Sequence, residues 1–230
     1  MKRSEINQII RDADAFIRQH QFHLPPFAYW TPHEWMSKGA EVSEIVERGL
    51  GWDITDFGQG DYANRGLFLF TIRNGSPQNL ATCTGKVYAE KLLIVGENQV
   101  TPFHFHWHKV EDIINRGGGK LLIQLYNSTS DERADETSSV TVSTDGITRT
   151  LPPGGFVTLE PGESITLPTL LYHKFWAEGG RVLVGEVSTV NDDNADNKFL
   201  EPIGRFTEID EDEPPHYLLL TDYAKYYQQA

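Results

Sequence analysis

Of the 230 residues, 20 are basic and 33 are acidic, and the net charge of −13 argues against a large basic face for nucleic acid or anionic lipid. The single cysteine, Cys83, cannot form an intrachain disulfide. No apolar run approaches the length of a membrane span. Lys2 and Arg3 are not followed by the apolar run that a signal peptide requires. We therefore predict a folded cytoplasmic protein, in a reducing compartment, that binds neither nucleic acid nor membrane.

The N-terminal part of the chain has the pattern of a helical arm. Apolar side chains at helical spacing predict an amphipathic helix over Ser4–His20. A capping box formed by Thr31 and Glu34 predicts the start of a second helix. One or two further helical turns are predicted over Glu41–Arg48. Residues 1–65 are therefore expected to form the arm.

Beyond this arm the sequence changes to β-rich runs separated by glycine-containing turn signals, which define a predicted barrel core over residues 66–190. The predicted strands are Leu67–Arg73, Gly85–Val95, Gln99–His108, Lys120–Tyr126, Ser139–Ser143, Phe156–Leu159, Ser164–Leu167, Leu171–Ala177 and Arg181–Val187. Short strands at nearly regular spacing indicate an antiparallel sandwich or jelly roll rather than a parallel α/β sheet.

Residues 191–230 form an acidic C-terminal segment. It carries Asp193, Asp196 and the acidic run Glu208–Glu213, a pattern typical of a solvated loop. A short helix is predicted over Thr221–Gln228. The whole chain is thus predicted to be a single all-β domain with an N-terminal helical arm and a short C-terminal helix.

Histidines alternate near the end of the third predicted strand. His104, His106 and His108 would share one face of that strand, because successive side chains point to opposite sides. Glu111 follows, and His173 lies on a later predicted strand. Imidazoles and a carboxylate on neighbouring strands can surround one divalent cation. The alternative is a strand with one exposed polar face, since short motifs occur by chance.

Two segments in this order resemble the motifs of the cupin family. His104-Phe105-His106 followed by Glu111 and Gly118 resembles the first motif, and Gly162–His173 resembles the second. The second motif departs from the family pattern at Leu170, which stands where the family has glycine. The resemblance implies a double-sheet jelly-roll barrel with a metal inside, built from the predicted strands.

A closer resemblance extends beyond these motifs. The run His104–Asp112 followed by Asn115–Gly119 is similar to the D-lyxose isomerase family, cupin enzymes that interconvert aldoses and ketoses. Shorter likenesses at Leu24–Ala28, Gly51–Asp53 and Asn191–Asp193 extend it over nearly the whole chain. The resemblance implies interconversion of D-lyxose and D-xylulose, with D-mannose and D-fructose as a second pair.

The same resemblance implies a ligand set for the metal. Its members are His104, His106, Glu111 and His173. Mn²⁺ is the implied ion, and Fe²⁺, Co²⁺ or Zn²⁺ can occupy such a site. Spacing alone would equally accept His106 with His108, whereas the family pattern selects His104 with His106.

The implied chemistry needs acid–base groups, because a proton must move between C1 and C2 of an open-chain sugar and another between O1 and O2. Lys109 is one candidate, since a nearby cation would depress its pKa. Strict alternation points Lys109 away from the histidines, so its role requires a bulge or turn before Glu111. Glu186 is the other candidate, because a carboxylate in an apolar strand needs a role or a partner such as Arg181 or Lys120.

Further polar and aromatic groups are expected to bind the sugar. These are Glu90, Lys91, Trp107, Phe175, Asp193 and Arg205. Two other functions would use the same features: an iron-dependent cupin dioxygenase with the same ligands, and a non-catalytic jelly roll that binds sugar. Cupins commonly pair, so a homodimer is expected.

Overall fold

The protein is described by a computed structural model over residues 1–227. In this part of the chain the strands are β1 (Gly51–Thr55), β2 (Leu67–Asn74), β3 (Tyr88–Val95), β4 (Thr101–Phe105), β5 (Glu111–Ser128), β6 (Ala134–Asp135), β7 (Val140–Thr144), β8 (Ile147–Leu151), β9 (Phe156–Leu159), β10 (Ser164–Leu167), β11 (Leu171–Thr189) and β12 (Lys198–Phe199). The α-helices are α1 (Arg3–Gln19), α2 (Pro32–Met36), α3 (Ser43–Glu47), α4 (Pro77–Thr82) and α5 (Tyr223–Tyr226). Short 3-10 turns cover Pro26–Tyr29, Ala40–Val42 and Leu220–Asp222.

All the strand pairings are antiparallel, and two long strands join the two layers of a jelly roll. The last part of β11 pairs with β3 and with the first part of β5, in a layer that also contains β1, β2, β10, β7 and β8. The first part of β11 pairs with β4 and with the last part of β5, next to β9 and β12. The predicted all-β jelly roll is confirmed.

Glycines let β5 and β11 cross from one layer to the other without ending. The register of the two strands shifts between Glu178 and Val182. Gly118 has a φ of +103°, and a Cβ at this position would collide with the carbonyl oxygen of Arg181. The prediction that the chain forms two separate strands around Arg181 is therefore wrong, since the backbone bulges there and stays paired.

Side chains of the β1–β3 sheet alternate between the barrel interior and an outer face. On β2, Leu67 and Leu69 belong to the core between the layers, while Phe68 and Phe70 belong to the outer core. The apolar stripe of α1 covers this outer face with Ile6, Ile10, Ala13, Phe16 and Ile17. The predicted N-terminal helix is confirmed within one residue at each end.

The predicted helical arm also contributes a strand. Gly51–Thr55 pairs with β2, with Trp52 opposite Phe70, so the sheet begins inside residues 1–65. The predicted second helix is present, and Thr31 and Glu34 form its capping box through reciprocal hydrogen bonds. Every helix within residues 1–227 is too short or too polar to span a bilayer.

The acidic C-terminal segment is packed against the barrel in places where a solvated loop was predicted. Asp196 is 5% exposed, and the strand that follows it pairs with β4. Near the end of the segment Asp222 binds the guanidinium of Arg3, 2.7 Å away, and so ties both ends of the chain together. The predicted terminal helix is a 3-10 turn followed by α5, and its last predicted residue, Gln228, lies outside the described residues.

Candidate active site

One end of the barrel interior carries charged side chains on strands that are otherwise apolar. Lys91 shares the inner face of β3 with Leu93, and Glu186 shares the inner face of β11 with Val184. Both side chains are almost completely buried. These groups line a cavity together with residues of β4, β5 and the C-terminal segment. Alternation therefore explains how two charges reach the interior of a hydrophobic barrel.

Three histidines converge in this cavity. His104 on β4 lies directly opposite His173 on β11, with ring centroids 4.1 Å apart. His106 follows β4, and one nitrogen from each of the three rings lies within 4.8 Å of the others. The carboxylate of Glu111, at the start of β5, lies 3.2 Å from His173 Nε2 and 3.5 Å from His106 Nε2.

Backbone carbonyls determine the tautomer of each ring. The Nδ1 atoms of His104 and His173 lie 2.8 and 2.9 Å from the carbonyl oxygens of Pro102 and Leu171, and His106 Nδ1 lies 2.5 Å from that of Asp196. A carbonyl oxygen only accepts hydrogen bonds, so each Nδ1 carries a proton, and Nε2 is the nitrogen that offers a lone pair in the neutral ring.

The Nε2 atoms then face other lone pairs. His104 Nε2 lies 3.1 Å from His173 Nε2, and within residues 1–227 the buried His106 Nε2 finds no hydrogen-bond donor. Desolvation and the neighbouring imidazoles hold the pKa of His104 well below its ordinary value, and desolvation also lowers that of His106. Imidazole nitrogens converging on one point beside a carboxylate fit a divalent metal ion.

The ammonium of Lys109 lies between two carboxylates. Its Nζ is 2.6 Å from Glu111 Oε2 and 2.9 Å from Glu186 Oε1. Burial is outweighed by the two negative charges, which hold the pKa of Lys109 above its ordinary value. The depressed pKa expected beside a bound cation stays a prediction. Burial alone would raise the pKa of Glu111, but the neighbouring ammonium of Lys109 holds it well below its usual range.

The buried charges continue with alternating sign away from the histidines. Glu186 also lies 3.4 Å from the ammonium of Lys91, so its partners are lysines of the cavity and not Arg181 or Lys120, the alternatives that the sequence left open. Asp193 is 3.9 Å from Lys91, and Arg205 is 3.2 Å from Asp193. Asp53 on β1 closes the series 2.6 Å from Arg205. These pairs satisfy charges that would otherwise be costly to bury.

A turn between β4 and β5 decides which residues of the histidine motif face the cavity. The strand was predicted to continue to His108, but β4 ends at Phe105. His108 is exposed, whereas Lys109 is 3% exposed and enters the cavity. The turn that a role for Lys109 required is therefore present, and the three predicted in-line histidines do not share one face.

Of the six residues expected to bind sugar, four line the cavity. These are Lys91, Phe175, Asp193 and Arg205. The structure does not bring Glu90 or Trp107 there. Glu90 neighbours Lys91 on β3, so alternation turns it outward to an ion pair with Arg73. The indole of Trp107 donates to Glu132, which lies between β5 and β6.

Thr101, which the sequence reading did not single out, also lines the site. Thr101 Oγ1 and Arg205 Nη1 are buried without a hydrogen-bond partner among the described residues, and both residues line the cavity. A bulge in the pairing of β4 with β11 brings Thr101 and His104 to the same side although they are three positions apart. On β1, Asp53 lies between the apolar residues Trp52 and Ile54, and this alternation is the signal that identifies its side chain as inward.

A family model described as D-lyxose isomerase matches residues 1–223. The chain is 48% identical over 229 residues to a protein of Serratia proteamaculans named D-lyxose/D-mannose isomerase, a match covering 98% of this chain and 99% of that protein. It is 49% identical over 229 residues to a protein of the same name from Escherichia coli O157:H7, covering 98% of this chain and 100% of that protein.

Solved structures with a similar fold include L-ribose isomerases. The enzyme of Acinetobacter sp. DL28 in complex with L-ribose superposes with a TM-score of 0.61 at 18% identity, over 91% of this chain and 98% of its own. That of Geodermatophilus obscurus has a TM-score of 0.59 at 17% identity, with the same coverage. At this identity the likeness supports the fold alone.

Proposed function

The chain belongs to the D-lyxose isomerase family and is an aldose–ketose isomerase acting on a monosaccharide, and we propose that it interconverts D-lyxose and D-xylulose. We propose D-mannose and D-fructose as a second pair, because the two aldoses share their configuration at C2 and C3. The names of the two relatives support both reactions. The observation that carries the proposal is the cluster of three bare imidazole nitrogens beside a buried lysine–glutamate pair.

We propose that His104, His106, Glu111 and His173 hold one divalent metal ion, with Mn²⁺ as the ion and Fe²⁺, Co²⁺ or Zn²⁺ as substitutes. Nitrogen and carboxylate donors suit all four ions, whereas the one cysteine, Cys83, is exposed and remote from the cluster. When bound, such an ion supplies positive charge that polarises the sugar carbonyl and stabilises the negative charge that develops on its oxygen.

Two residues of the chain are proposed to move the protons. Aldose becomes ketose when the hydrogen on C2 moves to C1 and the hydroxyl hydrogen on O2 moves to O1. The Glu186 carboxylate takes the proton from C2 and returns it to C1. The Lys109 ammonium, 2.9 Å from the Glu186 carboxylate, donates to O1 and is reprotonated from O2. Atoms and charge balance over the cycle.

Lys91, Phe175, Asp193 and Arg205 are proposed to bind the rest of the sugar. The unpartnered Arg205 Nη1 can donate to a hydroxyl, and the unpartnered Thr101 Oγ1 can donate or accept. The ring of Phe175 offers an apolar wall for the CH groups. Burial of these atoms supports the assignment, because a buried polar atom without a partner costs free energy until a ligand satisfies it.

We also propose that the whole chain functions as one domain, since strands from residues 1–65, 66–190 and 191–227 pair with one another. A homodimer in the cytoplasm is proposed on the cupin resemblance and the single cysteine. Gel filtration with light scattering tests the dimer directly.

The test of the proposed function is anaerobic conversion of D-lyxose by protein stripped with EDTA, before and after Mn²⁺ is restored. We expect xylulose only with the metal present. D-mannose and L-ribose, assayed under the same conditions, report the breadth of the site. Turnover that needs oxygen would favour the dioxygenase, whereas Mn²⁺ binding without conversion of any of the three sugars would overturn the assigned reaction.

A further inference from the structure

The turn between β4 and β5 must change the direction in which side chains point. His104 and His106 face the cavity from even-numbered positions, whereas Lys109 and Glu111 face it from odd-numbered ones. An uninterrupted strand cannot do this, because its side chains alternate strictly. The backbone of residues 106–110 therefore has to leave the extended conformation and be held in the new one.

One carboxylate holds this turn. The backbone N–H groups of Trp107, His108 and Lys109 donate to the carboxylate of Asp196 at 2.8, 3.0 and 2.9 Å. The carboxylate belongs to a buried residue from a segment almost ninety positions away in the chain. Three N–H groups converging on one anion form charge-assisted hydrogen bonds, which are stronger than those between neutral groups.

The same residue touches a proposed metal ligand through its main chain. The carbonyl oxygen of Asp196 accepts the hydrogen bond from His106 Nδ1. The segment around it is anchored from both sides, because Asp196 N donates to the carbonyl of Asp192 and Lys198 pairs with Phe105 of β4. Through its side chain and its main chain, Asp196 thus contacts both Lys109 and His106.

We propose that Asp196 is a positioning residue. Its carboxylate stabilises the turn that brings Lys109 and Glu111 to the histidine side, and its carbonyl holds His106 with Nε2 free for the metal. The inference rests on the metal site and acid–base pair of the proposed function. A carboxylate suits this position better than an amide, because it presents only acceptors to three donors.

The test compares Asp196→Asn with Asp192→Asn in the full-length protein. Asp196→Asn keeps the volume but turns an NH₂ group toward a backbone N–H. Asp192→Asn is the matched control, because Asp192 caps Asn194 and Ala195 in the same segment without contacting the turn. For both variants we would measure kcat and KM for D-lyxose at saturating Mn²⁺, and Mn²⁺ affinity by competition with a chelator followed by electron paramagnetic resonance.

For Asp196→Asn we expect Mn²⁺ affinity to fall about 10- to 100-fold, as when other outer contacts to metal ligands are removed. We expect kcat at saturating Mn²⁺ to fall at least about tenfold, as loss of an interaction worth roughly 1.4 kcal/mol would produce, while KM changes by less than about threefold. The control should stay within about twofold of the wild type in all three quantities. A merely structural role would lower the thermal midpoint and leave both constants of the folded protein unchanged.

Equal kcat and equal Mn²⁺ affinity in Asp196→Asn and Asp192→Asn would overturn the proposal. If Asp196→Ala fails to fold, Asp196→Asn still carries the test. If the wild type binds Mn²⁺ but isomerises no sugar, the proposed function fails alone, and the Mn²⁺ affinity of the variants still tests how Asp196 orients His106. A wild type that binds no divalent metal would overturn both.

Discussion

The two faces of the β1–β3 sheet are built from the same strands and differ in chemistry. The part of the outer face that packs beneath α1 is apolar, with Trp52, Ile54, Phe68, Phe70, Leu92 and Ile94. The inner face carries Thr55 and Lys91 among leucines, and Asp53 beside them is paired with Arg205. Burying charge costs free energy unless every charge is paired. The outer face therefore serves stability, whereas the inner face gives up some stability to hold charged groups where the sugar would bind.

Among the variants that test this difference, Glu186→Gln on the inner face is expected to have the largest effect. The amide cannot accept the carbon-bound proton, so kcat for D-lyxose should fall about 10³-fold, within the ~10²–10⁴-fold range for acid–base groups. Mn²⁺ affinity should change little, since Glu186 is not among the proposed ligands. Steady-state kinetics at saturating Mn²⁺ measures kcat, and competition with a chelator measures the Mn²⁺ affinity.

Glu90→Gln is the matched control, because Glu90 lies next to Lys91 but on the outward side of β3, paired with Arg73. Its kcat should remain within about twofold of the wild type. Comparable losses in Glu186→Gln and Glu90→Gln would show that the two faces do not differ in the way we describe.

The next largest effect concerns the outer face. Phe70 is fully buried and packs against Trp52 and Phe27, with ring centroids 4.7 and 5.7 Å away. Phe70→Ala should lower the free energy of unfolding by about 3–5 kcal/mol, as truncations of buried aromatics do. Urea unfolding measures this loss. At temperatures where the variant is fully folded its kcat should equal that of the wild type, and a kcat loss beyond tenfold would count against a purely structural outer face.

The fold followed from the sequence wherever a pattern was local. Period-two runs and glycine turns predicted nine strands, and helical spacing predicted α1. β1 was missed because its alternation of apolar and polar residues spans only five positions, and its pairing with β2 is what reveals it. β8 is an exposed strand over Ile147–Leu151, stabilised by pairing with β7 and carrying little apolar patterning of its own.

The candidate site, like the fold, was predictable where it depends on local patterns. The histidine motif and its resemblance identified the converging imidazoles and Glu111, and alternation on β3 separates Lys91 from Glu90. Asp196 was read as part of a solvated acidic run, because nothing local indicates that one carboxylate of such a run returns to a turn almost ninety residues earlier. Thr101 depends on a bulge, which strand periodicity does not reveal.

A smaller effect is expected where the C-terminal segment binds the first residue of α1. Arg3 binds Glu211 and Asp222, and the hydrogen bond from Arg3 is the main cause that lowers the pKa of Glu211. A carboxyl whose pKa is depressed on folding stabilises the protein above its unfolded pKa of about 4.3, and this contribution is lost as the pH falls through the folded value.

Glu211→Gln should therefore reduce the free energy of unfolding at neutral pH by less than about 1 kcal/mol, because Glu211 is largely solvated. It should also flatten the decline in stability between about pH 4.3 and lower pH. Thermal unfolding followed from pH 7 to pH 3 tests this, with kcat expected to be unchanged. A steeper acid decline in the variant would contradict the assigned sign.

The smallest expected effect concerns a residue beside the site that we expect to matter only for stability. Leu170 stands where the cupin motif has glycine, and it adopts a φ of +61°, a left-handed conformation that costs an ordinary residue about 1–2 kcal/mol. Its N–H donates to the carbonyl of His106, a contact that glycine would keep. Leu170→Gly relieves the strain but loses about 0.5–1 kcal/mol through the greater freedom of glycine in the unfolded chain. We expect a net gain of about 0.5 kcal/mol in the free energy of unfolding, measured by thermal or urea unfolding, and an unchanged kcat.

Leu170→Ala, which keeps the strain, should show no gain in the free energy of unfolding. A fall in kcat for Leu170→Gly would mean that this turn constrains the histidines beyond its hydrogen bond.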